Sequence, residues 1–240
     1  MNLILTGVSK GLGLSTTSLL LNGGHTVYGI SRSSTNELKE LQNKYPDTLK
    51  ILHYDLLDSK NIHSEIFRKW IGVDTLIEGF VNNAALAYDD LITNLDLDEL
   101  EKMFKVNVFS PMILVKYVIR QMILHNVKGS IVHISSISAH TGYKGLAMYA
   151  STKSALEGFS KNTAREWGKR GIRSNCLVAG FMETDMSSNL NAEKKERIYR
   201  RTSLKKAVEL DSVANTIKFL LSEESKSMTG QNIFIDNGTI

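Results

Sequence analysis

The placement of apolar residues limits this chain to a narrow set of folds. Short, nearly continuous apolar runs at Leu3–Thr6, Thr26–Ser31, Leu49–Tyr54, Leu76–Val81, Ser130–Ser135, Arg173–Val178 and Asn232–Asp236 read as strands. They lack polar alternation, so both faces of each are expected to be covered, as in a parallel sheet. Segments of helical spacing lie between them, at Leu12–Asn22, Thr35–Lys44, Lys60–Trp70, Leu97–Leu124, Tyr149–Lys169 and Asp211–Ser222. Strand and helix in alternation predict an α/β chain whose seven-stranded parallel sheet is doubly wound, with helices on both faces. No linker, repeat or low-complexity stretch interrupts the pattern, so residues 1–240 are expected to form a single domain. The polar segment Phe181–Leu204 fits neither period and is expected to be a mobile flap near 181–204.

Composition removes several function classes. One cysteine, Cys176, excludes a disulfide framework and a cysteine-rich metal site and points to a reducing, cytoplasmic setting. The apolar start Met1–Thr6 lacks a charged n-region and a cleavage site, so no secretion signal is expected. The longest apolar tract, Pro111–Leu124, is broken by Lys116 and Arg120 and is too short for a bilayer. The net charge of +4 comes from scattered basic residues, which suits an anionic small ligand better than nucleic acid.

Directly after the first strand come Gly7, Ser9, Lys10, Gly11, Leu12 and Gly13, opening the first helix. Glycines are needed where a chain turns tightly off a strand and lets its backbone touch a pyrophosphate at a helix N-terminus. The spacing is Gly-x-x-x-Gly-x-Gly, and it lacks the Gly-Lys-Ser/Thr ending of a triphosphate loop. At the end of the second strand stand Ser31, Arg32 and Ser33, with no acid for a free ribose 2′-hydroxyl. Arg32, helped by Lys10, can grip a 2′-phosphate, so NADP(H) is expected over NAD(H). Asp55, followed by Leu56, either accepts from the adenine amino group or caps a turn.

Tyr149 and Lys153 stand four apart on a predicted helix, thirteen residues and more after Ser136 at a strand end. That spacing puts phenol and ammonium on one helix face. A cation beside a phenol lowers its pKa from about 10 and makes it a usable proton donor or acceptor. Tyr149 is therefore the candidate general acid for reduction.

With Asn82-Asn83-Ala84-Ala85, Asn107, Gly180-Phe181-Met182-Glu183-Thr184, Thr229-Gly230-Gln231 and Asp236-Asn237-Gly238, the chain resembles the short-chain dehydrogenase/reductase family from Leu3 to Gly238. In appearance it is most similar to that family's 3-oxoacyl-carrier-protein reductases. The resemblance implies a Rossmann fold and an NADPH-dependent reduction of a ketone to a secondary alcohol. It implies that Ser136 polarises the carbonyl, Tyr149 protonates it, and Lys153 holds the nicotinamide ribose and tunes Tyr149. It also implies that Asn83, Ala84, Gly180, Met182 and Thr184 line the cofactor, and that the Asn107 carbonyl anchors a proton-relay water. Pro111 has no N–H to give to that carbonyl, four residues earlier, and is expected to break the helix there.

Ala85, Ala179 and Asn237 depart from the family's usual glycine, proline and glycine. Sugar, steroid or polyol ketones remain alternative substrates, and a non-catalytic NADP(H) sensor or a nucleic-acid-binding protein are the readings from other classes. Lys194, Lys195, Arg197, Arg200, Arg201, Lys205 and Lys206 form either a solvated helix face or a basic rim for an anionic substrate. Lys128, Lys169 and Arg170 are candidates for docking an acyl-carrier protein. Apolar Phe109, Met112, Tyr117, Leu156, Phe159 and Trp167 on the two long helices are either core or a subunit seam, and the family's tetramers favour a homotetramer. No metal ligand set is expected.

Overall fold

The computed structural model describes residues 1–187 and 190–239. Seven parallel strands form one sheet in the order β3-β2-β1-β4-β5-β6-β7. They are β1 (Asn2–Thr6), β2 (Thr26–Ser31), β3 (Leu49–His53), β4 (Gly79–Asn82), β5 (Ser130–Ser136), β6 (Arg173–Ala179) and β7 (Asn232–Ile235). The chain builds outward from β1 to β3 and then returns to lay β4 on the other side of β1. That reversal opens a crevice at the C-terminal ends of β1 and β4, the place where ligands bind in doubly wound sheets.

Alternate residues of each strand feed two separate cores. Leu3 and Leu5 of β1 pack with α1 (Gly11–Asn22), α2 (Asn36–Lys44) and α8 (Leu210–Leu221) on one face. Ile4, between them, points to the opposite core with a π-helical segment His63–Ile71 and with α4 (Ser110–Leu124). α6 (Ala147–Trp167) also packs on that side, against β5 and β6. The inner strands β1, β2, β4, β5 and β6 are buried almost throughout, which explains why they read as continuous apolar runs, whereas the edge strands β3 and β7 are partly exposed.

Three differences from the sequence expectation have local causes. β4 starts at Gly79, later than Leu76, because Leu76 is exposed and the Glu78 carboxylate takes the Asn2 amide at 2.8 Å. The helical run Leu97–Leu124 is 28 residues long, enough by length and composition for a bilayer. It is a core helix here, with Leu114, Val115, Val118 and Met122 buried against the sheet. Within that run, α3 (Leu97–Phe104) and α4 are joined by a π-helical turn, Lys105–Phe109, whose defining bond runs from the Ser110 amide to the Lys105 carbonyl. The expected interruption around Asn107 is therefore a widened turn, just ahead of Pro111.

The segment expected to lack regular structure holds a ten-residue helix, α7 (Ala192–Arg201), capped by the Asn191 side chain on the Lys194 amide. Its residues are charged almost all round, so no apolar stripe announced it. A short helix, α5 (Ser138–Thr141), also follows β5. Positions 188 and 189 of the expected flap lie outside the described residues.

Candidate active site

The crevice at the switch point is a cleft of about 900 Å³. Every candidate site residue except Asn107 lines it.

The glycine turn is built for close approach. Gly7 and Gly11 adopt φ of +76° and +53°, in the left-handed region. A Cβ on Gly13 would stand 1.9 Å from the Gly7 carbonyl oxygen, so only glycine closes this turn. No side chain caps the first turn of α1 and no acid sits in it, which leaves its N–H groups and positive dipole end for an anion. Thr6 locks the far wall: its hydroxyl accepts from the Asn83 and Ala84 amides at 3.1 and 3.0 Å. The Asn83 side chain donates back to the Thr6 and Gly7 carbonyls at 3.0 and 3.2 Å. Sequence reasoning missed Thr6, whose hydroxyl looked like an ordinary strand end.

At the end of β2, buried Ser31 donates to the Ser33 carbonyl at 3.0 Å, and exposed Arg32 and Ser33 face the cleft. Thr35 caps α2 and donates to the Ser9 carbonyl at 2.8 Å, tying this corner to the glycine turn. Lys10 reaches the mouth, where its ammonium pairs with Asp185 at 2.9 Å. Of the two roles open to Asp55, the turn role is present, its carboxylate accepting from the Leu57 amide at 2.9 Å. Leu56 is buried beside it, its carbonyl held by the Ser110 hydroxyl at 2.5 Å.

Tyr149 and Lys153 lie one turn apart on the buried face of α6. Lys153 is buried, 3% exposed, and its ammonium donates to the Ile134 carbonyl at 2.8 Å and sits 5.4 Å from the centroid of the Tyr149 ring. Burial pulls the Lys153 ammonium down to about 8. The Tyr149 phenol is pushed up, by burial first and then by the Asp89 carboxylate. Burial disfavours the charged form of each group, so it moves the phenol up and the ammonium down. Ser136, at the end of β5, accepts from the Ser138 amide at 3.2 Å and hydroxyl at 3.0 Å. Ser138 itself lines the cleft and was not anticipated.

Asn107 sits behind the cleft wall. Its side-chain amide donates to the Leu86 carbonyl and accepts from the Leu86 amide, both at 2.8 Å, and also donates to the Thr152 hydroxyl at 3.1 Å. It thereby joins the loop after β4 to the turn of α6 between Tyr149 and Lys153.

A further buried group missed by sequence reasoning is Glu157, one turn beyond Lys153. It accepts from the Ser135 hydroxyl at 2.5 Å and from Asn232 at 2.6 Å, and meets His140 of α5 at 3.0 Å. The spacing 149, 153, 157 on one helix face was the available signal. On the opposite wall, Thr184 packs toward Gly11, its methyl 3.4 Å from where a Cβ would stand there. Gly180 leaves β6 where a Cβ would stand 2.7 Å from the Asp236 Cα.

A family profile described as enoyl-(acyl carrier protein) reductase matches residues 7–239. The chain belongs to the short-chain dehydrogenase/reductase family. It is 32% identical over 242 residues to the 3-oxoacyl-[acyl-carrier-protein] reductase FabG of Aquifex aeolicus, covering 98% of this chain and 95% of that protein. Among solved structures it is similar to 4-hydroxyisoleucine dehydrogenase complexed with NADH, with a TM-score of 0.92 and 26% identity over 99% of this chain and 98% of that one. ElxO with NADP bound is similar too, with a TM-score of 0.88 and 26% identity over 99% and 98%.

One of the departures from the family pattern has a structural explanation. Asn237 takes the left-handed conformation at φ +57°, which asparagine tolerates, and its amide donates to the Lys206 and Ala207 carbonyls at 3.0 and 2.9 Å. Ala179 is buried at the end of β6. Ala85 lines the cleft. Lys128 packs its stem beside Gly171, next to Lys169 and Arg170, at the N-terminal ends of β5 and β6. The candidate carrier-docking cations therefore lie at the opposite end of the sheet from the cleft.

Proposed function

We propose that this protein reduces a ketone to a secondary alcohol with NADPH, and that a 3-oxoacyl thioester on an acyl-carrier protein is among its substrates. The observation that carries the reading is the meeting of Ser136, Tyr149 and Lys153 in one cleft with a glycine turn that a Cβ at Gly13 would prevent from closing. The residues fit a phosphorylated dinucleotide. The free first turn of α1 suits its pyrophosphate, and Arg32, with no carboxylate within ion-pairing distance among the described residues, suits a 2′-phosphate. When bound, NADPH supplies the hydride.

The chain's own residues supply the rest. The Ser138 hydroxyl donates to the Ser136 oxygen, which leaves the Ser136 proton free to polarise a substrate carbonyl. Tyr149, its phenol held up by burial, keeps its proton at neutral pH and donates it as charge develops on the carbonyl oxygen. Lys153, pulled down to about 8, stands close enough to neutrality to pass a proton inward, and its ammonium is oriented by the Ile134 carbonyl. Thr184 and Met182 close the cofactor wall opposite Asn83 and Ala84. Asn107 positions the helix that carries Tyr149 and Lys153. The chain works as one domain in the cytoplasm, with residues on either side of positions 188 and 189, from Phe181 to Ser187 and from Leu190 to Arg201, lining the cleft. Exposed Leu97, Phe109 and Leu124 on the Leu97–Leu124 helix offer apolar surface for a homotetramer.

The test is Tyr149→Phe, followed by loss of NADPH absorbance with acetoacetyl thioester. Removing the proton donor is expected to lower kcat by about a thousandfold, while NADPH binding followed by fluorescence stays near wild type. Retained turnover would overturn the assignment.

A further inference from the structure

The substrate end of the cleft has a charge that the reduction itself does not require. Across the whole lining, seven cationic side chains face three carboxylates among the described residues. One of those carboxylates, Asp185, is already paired with Lys10 at the cofactor end. α7 turns Lys194, Arg197, Ile198 and Arg201 toward the cleft, at the i, i+3, i+4, i+7 spacing of one helix face. Its other faces are otherwise engaged, since Lys195 pairs with Glu183 at 3.2 Å and Arg200 with Glu196 at 3.2 Å. Across the mouth stands Lys144, in the loop between Ser136 and Tyr149, with Arg201 stacked 5.5 Å over the neighbouring Tyr143 ring. The stacking ties the C-terminal end of α7 to the loop that leads into α6, the helix of Tyr149 and Lys153. Arg197 has Glu193 at 2.5 Å. Lys144, Lys194 and Arg201 have no carboxylate within ion-pairing distance among the described residues. Three unneutralised cations around one opening repel one another unless an anion joins them.

We infer that the ketone carries an anionic group beyond its carbonyl, a carboxylate or a phosphate, which Lys194 and Arg201 of α7 grip together with Lys144. The inference rests on the reductase reading and names its substrate class. Ile198, between the cations, gives the intervening part of the substrate an apolar wall, and the Arg201 guanidinium, preorganised by Tyr143, supplies a fork that matches carboxylate and phosphate oxygens. The same anion has two sources: a free keto acid, or the phosphate of a phosphopantetheine arm.

Two matched pairs separate them, each assayed with NADPH and the full chain. One compares acetoacetate with methyl acetoacetate, the other acetoacetyl-4′-phosphopantetheine with acetoacetyl-pantetheine. In at least one pair the anionic member is expected to show a kcat/KM advantage of about tenfold, carried in KM, the size of one charge-assisted hydrogen bond. Lys194→Gln with Arg201→Gln is expected to bring that ratio to near one, and Arg201→Lys to keep part of it. Lys194→Gln alone, at an exposed site without an ion-pair partner, gives a variant whose folding is not at issue. Ratios near one in both pairs for the wild-type protein would overturn the anionic-substrate inference while leaving the reductase standing. Failure of all four ketones to consume NADPH would overturn the reductase reading and this inference with it.

Discussion

At the cofactor end of the cleft the walls are largely main chain. The Gly7–Gly13 turn, the Thr6 clamp on Asn83 and Ala84, and the Thr35 bond to the Ser9 carbonyl are all anchored on buried strands. At the substrate end the wall is a helix whose residues are mostly exposed, α7, held to the rest by Tyr199 on Glu183, by Phe181 against Tyr199 and by Arg201 over Tyr143. The first end is specified by backbone geometry, which tolerates almost no substitution. The second is specified by side chains on a scaffold that accepts many, so it is where a family sharing one chemistry can change substrates.

The sharpest way to break that contrast is Gly13→Ala. The added methyl would stand 1.9 Å from a backbone oxygen, so the turn itself must move. A cost of about 3 kcal/mol, read as roughly a hundredfold loss of NADPH affinity by fluorescence titration, is the expected outcome. Wild-type affinity in this variant would mean that the cradle is more plastic than its contacts imply.

The contrast also explains what was legible in the sequence. The glycine turn, the strand ends and the four-residue step from Tyr149 to Lys153 impose residue types at fixed spacings, so they could be read without coordinates. Glu157 continues the same helix face, but a charged residue reads as solvent-facing unless its partners on β5, α5 and β7 are known. Ser138 and Thr6 act through hydroxyls that sequence does not distinguish from ordinary ones. α7 lacked a hydrophobic period because its apolar residues are few and it lies over a cleft. The four-residue step puts the Lys153 ammonium 5.4 Å from the Tyr149 ring centroid, but burial, which no residue spacing reveals, is the first cause of the phenol's upward shift.

A smaller effect sharpens the cofactor end. Arg32→Asp removes a guanidinium from the lip of β2 and places a carboxylate where a 2′-phosphate is expected. NADPH affinity should fall by about 2 kcal/mol, some thirtyfold, with NADH affinity little changed. Equal losses for both cofactors, measured side by side by fluorescence, would remove Arg32 from the phosphate site.

The smallest expected effect concerns what lies beneath each end. His133 of β5 is fully buried under the cofactor end, 3.3 Å from the Asn82 amide, and burial, aided by the Lys153 charge, pulls its imidazole down to about 3. In the unfolded chain the ring takes up a proton near pH 6.5, whereas the folded ring stays neutral until about 3. Protons therefore favour the unfolded state across that window, and stability should fall by on the order of 1 kcal/mol for each pH unit between 6.5 and about 3. The α7 end behaves differently. Glu183 is held below the usual carboxylate range by Tyr199 and Lys195, so its contribution is lost only at lower pH, below about 4.5, where carboxylates begin to protonate. Urea unfolding at pH 7.5 and 5.5 should show the acid loss in wild type and a flatter response in His133→Gln, which cannot titrate. An unchanged slope in that variant would move the acid sensitivity away from the sheet, and with it the claim that the rigid end of the cleft is also its titrating end.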